Sequence, residues 1–187
     1  MSSVMWASRV LGAPLKRKLS GSDLVVLLSE HAARRGYSVY LFGAAEGVAE
    51  ATAVTLRQRL SGLNVVGTFS PPFSFYSDER KNAAAIDRIR EAAPDICFVA
   101  LGSPIQEVWM HRHCRECGVP VMLGIGGGFD LVSGRVRRAP IWMQNSGLEW
   151  VWRLCQEPRR LWRRYLVDDA YIVVLFAREL WRRLARR

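Results

Sequence analysis

Residues 94–109 read PDICFVALGSPIQEVW, and this stretch decides the fold. Asp95 to Leu101 is an almost unbroken apolar run, the pattern of a strand covered on both faces as in a parallel sheet. Gly102 to Pro104 form a turn, and the spacing predicts a helix over Gln106–Cys117. The turn therefore sets backbone N–H groups and Gln106 at the positive end of a helix, where anionic ligands bind. Gly102 and Gln106 are candidate ligand positions on this ground. Glu107, in the first helical turn, has the simpler role of a favourable N-terminal charge.

Outward from this unit the same alternation repeats. Ser22 to Arg35 reads as a helix with Leu24, Leu27, Leu28 and His31 or Ala32 near one face, stopped by Gly36. Tyr37 to Phe42 reads as a strand, Gly47 to Leu60 as a helix, and Asn64 to Gly67 as a second strand. Phe69, Pro71, Pro72, Phe73, Phe75 and Tyr76 read as a loop. A helix over Asp78–Ala92 leads back to the opening stretch. Downstream, Val119 to Ile125 reads as another buried strand, and the pattern turns helical after Pro140. Alternating strands and helices predict an α/β, Rossmann-like, mostly parallel sheet with a C-terminal helical appendage. The expected division is residues 1–140 for the α/β domain and 141–187 for the appendage.

Ligands of such sheets sit beyond the carboxyl ends of the strands. Glycine turns fall there at Gly43, at Gly102, and in GIGGGFD (124–130). The last is not the dinucleotide fingerprint, because Phe129 stands where its third glycine belongs, and no P-loop lysine is present. Gly126 permits close ligand approach or a tight turn. Asp130 accepts from a base or a sugar hydroxyl, or caps a helix.

Composition bounds the rest. The chain has 187 residues, half of them hydrophobic, enough for one domain with a true core. Its formal charge of +10 is uneven. Residues 1–134 carry a net +2, whereas residues 135–187 carry a net +8 with five of the seven tryptophans. Such a tail fits anionic lipid headgroups, nucleic acid, or a packed hairpin with a solvated arginine face. Cys114 and Cys117 form a CxxC beside His111 and His113, but no second pair completes a zinc set. Free thiols are expected. No signal peptide and no uninterrupted apolar span of about 20 residues is visible, so the reading is a cytoplasmic or membrane-surface protein.

Taken together, KLSGSDL (18–24), YLFGAAEGVAE (40–50), PDICFVALGSPIQEVW (94–109), GIGGGFDLVSGRVRRAPIWM (124–143), GLEWVWRL (147–154) and EPRRLWRRY (157–165) carry a resemblance. The chain resembles the WecG/TagA/CpsF family of bacterial glycosyltransferases over essentially its whole length. The resemblance implies an inverting, metal-independent enzyme without a cofactor. It would move a hexosyl or N-acetylhexosaminyl group from a UDP-sugar to an undecaprenyl-diphosphate-linked acceptor, for surface polysaccharide. It implies work at the inner face of the cytoplasmic membrane, on an anionic surface, with no nucleic-acid partner.

Residue by residue, the family's pocket glutamine falls on Gln106 and its uridine-side aspartate on Asp130. Its diphosphate arginines fall on Arg153, Arg160 and Arg163. A further family arginine meets Lys18 here, which keeps the charge and loses the bidentate fork. Family members carry an earlier segment ending in Asp-Gly, just before the stretch matched by VMWASRVLG (4–12), and its aspartate is the implied general base. No catalytic residue is therefore assigned within residues 1–187, and the base is expected upstream of Met1. The alternative expectation is a truncated, non-catalytic UDP-binding or membrane-associated remnant. A free apolar edge beside that segment would favour homo-oligomers.

Overall fold

The computed structural model describes residues 19–146, 148–156, 158, 178 and 181. They fall into two compact units, residues 19–137 and residues from 138 onward.

In the first unit, four parallel strands form one sheet in the order β2-β1-β3-β4: β1 is Ser38–Gly43, β2 Asn64–Phe69, β3 Ile96–Ala100 and β4 Val121–Gly124. The helices are α1 (Gly21–Arg35), α2 (Val48–Arg59), α3 (Glu79–Ala92), α4 (Ile105–Cys117) and the short α5 (Gly128–Val132). The Rossmann-like α/β class read from the sequence is the class observed.

β1 is buried at all six positions, because strands and helices enclose it on every side. Its side chains alternate between two cores. Val39 and Leu41 join Phe98, Val25, Leu56 and Phe129 on one face. Tyr40 and Phe42 join Cys97, Val99, Phe75 and Trp109 on the other. The strand starts are tied by a reciprocal set of bonds. Ser38 N–H and its hydroxyl donate to Asp95 Oδ2 at 2.7 and 2.8 Å, and Asp95 N–H donates to Ser38 Oγ at 3.0 Å.

Three readings are corrected here. First, α1 buries Ser22, Val25, Ser29 and Ala32, while Leu27 is 48% exposed. The reason is close approach: a Cβ on Gly21 would lie 2.3 Å from the Ile125 carbonyl oxygen, so the small-residue stripe must face inward. Of the leucine stripe, Leu27 therefore faces away, while Leu28 packs half-buried against the core. Ser20 caps this helix in a reciprocal box with Asp23.

Second, β2 runs past Gly67 to Phe69. Gly67 leaves room for the Tyr40 ring, since a Cβ there would lie 2.4 Å from Tyr40 Cε2. Phe69 pairs with Phe42 and receives the Arg88 guanidinium over its ring. Phe75 is likewise no loop residue. It is 1% exposed, in a short 3-10 turn (Phe75–Ser77), edge-on to Phe42.

Third, β4 is shorter than Val119–Ile125 and only half covered, with Val121 45% exposed. It lies at the sheet's edge among the described residues.

In the second unit, α6 (Ile141–Asn145) follows Pro140, and α7 (Glu149–Gln156) follows it. Gln144 Nε2 donates to the Ala139 carbonyl at 2.6 Å. Ile141 and Trp142 are 75% and 63% exposed. Among the described residues, no helix is long and apolar enough to cross a membrane.

Candidate functional site

The sheet's connections reverse direction between β1 and β3: from β1 the chain goes outward to β2, then crosses back to β3 on the other side. The crevice at their carboxyl ends is where ligands of open α/β sheets bind. Three turns meet there. The first follows β1, where Gly43 has φ +100 and a Cβ would stand 2.7 Å from the Ala100 carbonyl oxygen. Only glycine adopts that backbone at that distance. Ala44 N–H then donates to the same oxygen at 2.8 Å, pinching the ends of β1 and β3 together. The second turn, Gly102–Pro104, opens α4, and its Ser103–Pro104 peptide is cis. The third is Ile125–Gly127, anchored by Ile125 N–H on the Val99 carbonyl at 2.9 Å.

Gln106 joins the second turn to the third. It is 5% exposed, and its Oε1 accepts the Gly126 N–H at 3.0 Å. Its Nε2 donates to Glu107 Oε1 at 2.9 Å. Gly124 makes space for it, because a Cβ there would lie 2.7 Å from Gln106 Nε2. Gln106 therefore sets the glycine turn that any strand-end ligand would meet. Glu107 is exposed and holds the Gln106 amide in orientation.

Asp130 lies in the first turn of α5, half-buried, with its carboxylate beside Gly127. Its main-chain carbonyl accepts Val136 N–H at 2.9 Å, and its carboxylate has no hydrogen-bond partner among the described residues. Thus Gly102 and Gly126 lie in turns that follow the carboxyl ends of the strands, and Gln106 and Asp130 in the first turns of the helices those turns open. Arg153 falls on α7 by its backbone. Its side chain, and the whole of Lys18, Arg160 and Arg163, lie outside the described residues. Three other aspartates are already committed: Asp23 to the α1 cap, Asp95 to Ser38 and Asp78 to the α3 cap.

A feature that the sequence reading did not single out is a groove of about 250 Å³ beside α4, lined among others by Tyr76, Trp109, Arg112 and His113. Trp109 Nε1–H donates to Asn82 Oδ1 at 2.7 Å, and Asn82 Nδ2 faces His113 Nε2 at 3.2 Å. With the amide so oriented, His113 Nε2 accepts and the ring proton sits on Nδ1, toward Glu116 Oε1 at 3.2 Å. The sequence signal for this wall was i, i+4 spacing, of Trp109 with His113 and of Pro104, Val108 and Arg112.

The CxxC closes α4 rather than opening it. Cys117 is buried and its thiol is pushed up to about 11, chiefly by burial, while Cys114 is exposed. Among the described residues, no three His, Cys, Asp or Glu side chains converge on a metal position.

A parallel α/β domain with glycine turns gathered at its strand ends defines a Rossmann-like fold. The glycosyl transferase WecG/TagA/CpsF family model matches residues 2–186, and the chain belongs to that family. It is 34% identical over 176 residues to an N-acetylglucosaminyldiphosphoundecaprenol N-acetyl-beta-D-mannosaminyltransferase of Bacillus spizizenii, covering 94% of this chain and 66% of that protein. A protein of the same name in Bacillus subtilis is 31% identical over 178 residues, with the same coverage. The chain thus spans 66% of the length of these curated relatives.

Proposed function

We propose that this chain is a glycosyltransferase moving a hexosyl or N-acetylhexosaminyl group from a UDP-sugar to a sugar on a polyprenyl diphosphate, in cell-envelope polysaccharide synthesis. The observation that carries the reading is the family match over nearly the whole chain, joined to a strand-end cradle built by Gln106. The relatives' names supply the acceptor class and a β-mannosaminyl product. A β product from an α-linked nucleotide sugar requires inversion, hence one direct displacement.

In that step the acceptor oxygen bonds to the anomeric carbon as the bond to the UDP oxygen breaks. The acceptor hydroxyl gives up its proton to a base. Asp23 and Asp95 already accept backbone N–H groups and are not assigned that task. Gly126, positioned by Gln106, lets the donor approach the backbone, and the Asp130 carboxylate accepts from the nucleoside. Negative charge gathers on the departing UDP. Arg153, Arg160 and Arg163, with Lys18, are assigned to it, so that no step is routed through a metal. A lipid-linked acceptor supports work at the membrane surface, and we assign it to the cytoplasmic side.

The test is incubation of the protein, joined to the Asp-Gly segment that the family resemblance expects before residues 4–12, with UDP-N-acetylmannosamine, its uronic acid or UDP-glucose, with and without N-acetylglucosaminyl diphosphate carried on an alkyl chain. One donor is expected to give acceptor-dependent UDP release, unchanged by a chelator, with an inverted linkage by NMR. No acceptor-dependent release from folded protein with any of the three would overturn the reading.

A further inference from the structure

The groove beside α4 has no task in the donor site. Its wall follows residues four apart, Pro104, Val108 and Arg112, with Trp109 and His113 beside them, and Tyr76 lines it from the 3-10 turn. Positions four apart stack along one helix face. The groove therefore starts at the strand-end turn and runs eight residues down α4, roughly 12 Å at the helical rise. Its chemistry changes along that length. Near the strand ends it is apolar and aromatic, with Tyr76 and Val108 41% and 46% exposed. At the far end stands Arg112, exposed, with no acidic partner among the described residues. The wall is preset, because Asn82 holds Trp109 at 2.7 Å and faces His113 at 3.2 Å.

We propose that this groove seats the acceptor. The terminal pyranose packs its apolar face on Tyr76 and Val108, over the buried Trp109, with its reacting hydroxyl toward Pro104 and the strand ends. Arg112 meets the diphosphate that follows the sugar, and the lipid continues outward. The order of chemistry in the groove, apolar ring surface and then cation, is the order of groups in a sugar diphosphate. The inference rests on the transfer reading above. A UDP-sugar also contains a sugar diphosphate, so the test must separate acceptor from donor.

Calorimetry on the whole chain would use three probes: N-acetylglucosaminyl diphosphate on a short alkyl chain, UDP, and inorganic pyrophosphate. The variants are Arg112→Ala and Tyr76→Ala, both at exposed positions, with folding checked by circular dichroism. Arg112→Ala is expected to weaken the alkyl sugar diphosphate by about tenfold or more and to leave UDP unchanged. Tyr76→Ala should weaken the alkyl sugar diphosphate and not pyrophosphate. Three results would overturn the proposal: no saturable binding of the alkyl sugar diphosphate, its equal binding to wild type and Arg112→Ala, or an equal loss for UDP. Arg112-dependent binding without sugar transfer, in protein joined to the Asp-Gly segment, would sink the transfer reading and leave the groove standing. Transfer with an unchanged acceptor KM in Arg112→Ala would do the reverse.

Discussion

At the scale of single residues, Gln106 and Gly21 carry the most weight. Gln106→Ala would leave the Gly126 N–H without its acceptor in a half-buried turn. An unmet polar group of this kind costs about 1–3 kcal/mol, so urea unfolding should show a loss of that size. The Gly126 amide should also exchange with solvent faster in native-state hydrogen exchange. Unchanged exchange would mean that the turn holds itself. Gly21→Ala sets a methyl against the Ile125 carbonyl, which is backbone and cannot swing aside. The expected cost is about 1–3 kcal/mol or more, with weakened UDP binding because the same loop carries Gly126. Gly36→Ala is the control. It meets no atom within 4 Å and bears only the left-handed backbone penalty of about 1–2 kcal/mol. Folded protein with full UDP affinity after Gly21→Ala would break the link between α1 and the turn.

At the scale of elements, the link between strand starts gives a pH prediction. Bonds from Ser38 hold the Asp95 carboxyl below the usual carboxylate range. A carboxyl more acidic when folded stabilises the native state above its unfolded pKa of about 3.9, and this is lost as pH falls through the folded value. Asp95→Asn should therefore be less stable than wild type near pH 7, and the gap should close in acid. Denaturant melts at both pH values would decide it, and a gap that persists in acid would contradict the assignment. Most element positions were legible because local signals agreed with the fold: Gly36 ends α1, Asp78 caps α3, and the run after Asp95 is a covered strand. What was not legible depended on distant neighbours. The buried face of α1 is chosen by Ile125, about a hundred positions away, and β2 extends because Gly67 accommodates the Tyr40 ring. Likewise Gln106 was readable as a polar residue at a helix start. Its bond to Gly126 was not, because that bond exists only once β3 and β4 are side by side.

At the scale of the whole molecule, the four cysteines divide by burial. Burial raises the Cys97 and Cys117 thiols, whereas Cys114 and Cys155 are exposed. The thiolate is the reacting form, so a thiol reagent near pH 8 should modify two sulfurs in folded protein and all four in denaturant. Rapid labelling of a third would show that the sheet core opens. Exposed Ile141 and Trp142 offer apolar contact within a basic region. Vesicles of anionic lipid should therefore sediment the chain in a salt-sensitive manner, and Ile141→Glu with Trp142→Ala should reduce it. Equal sedimentation of the double variant would place the lipid contact elsewhere. The tie between Ser38 and Asp95 also has a consequence for biosynthesis. Its partners are 57 positions apart, and the wholly buried centre of β1 lacks its second neighbour until the later one has been made. At about 5–20 residues per second, a ribosome needs roughly 3–11 s to close that gap. Throughout that interval the nascent chain displays VYLF with one hydrogen-bonding edge unclaimed, and this is the stretch a chaperone would grip.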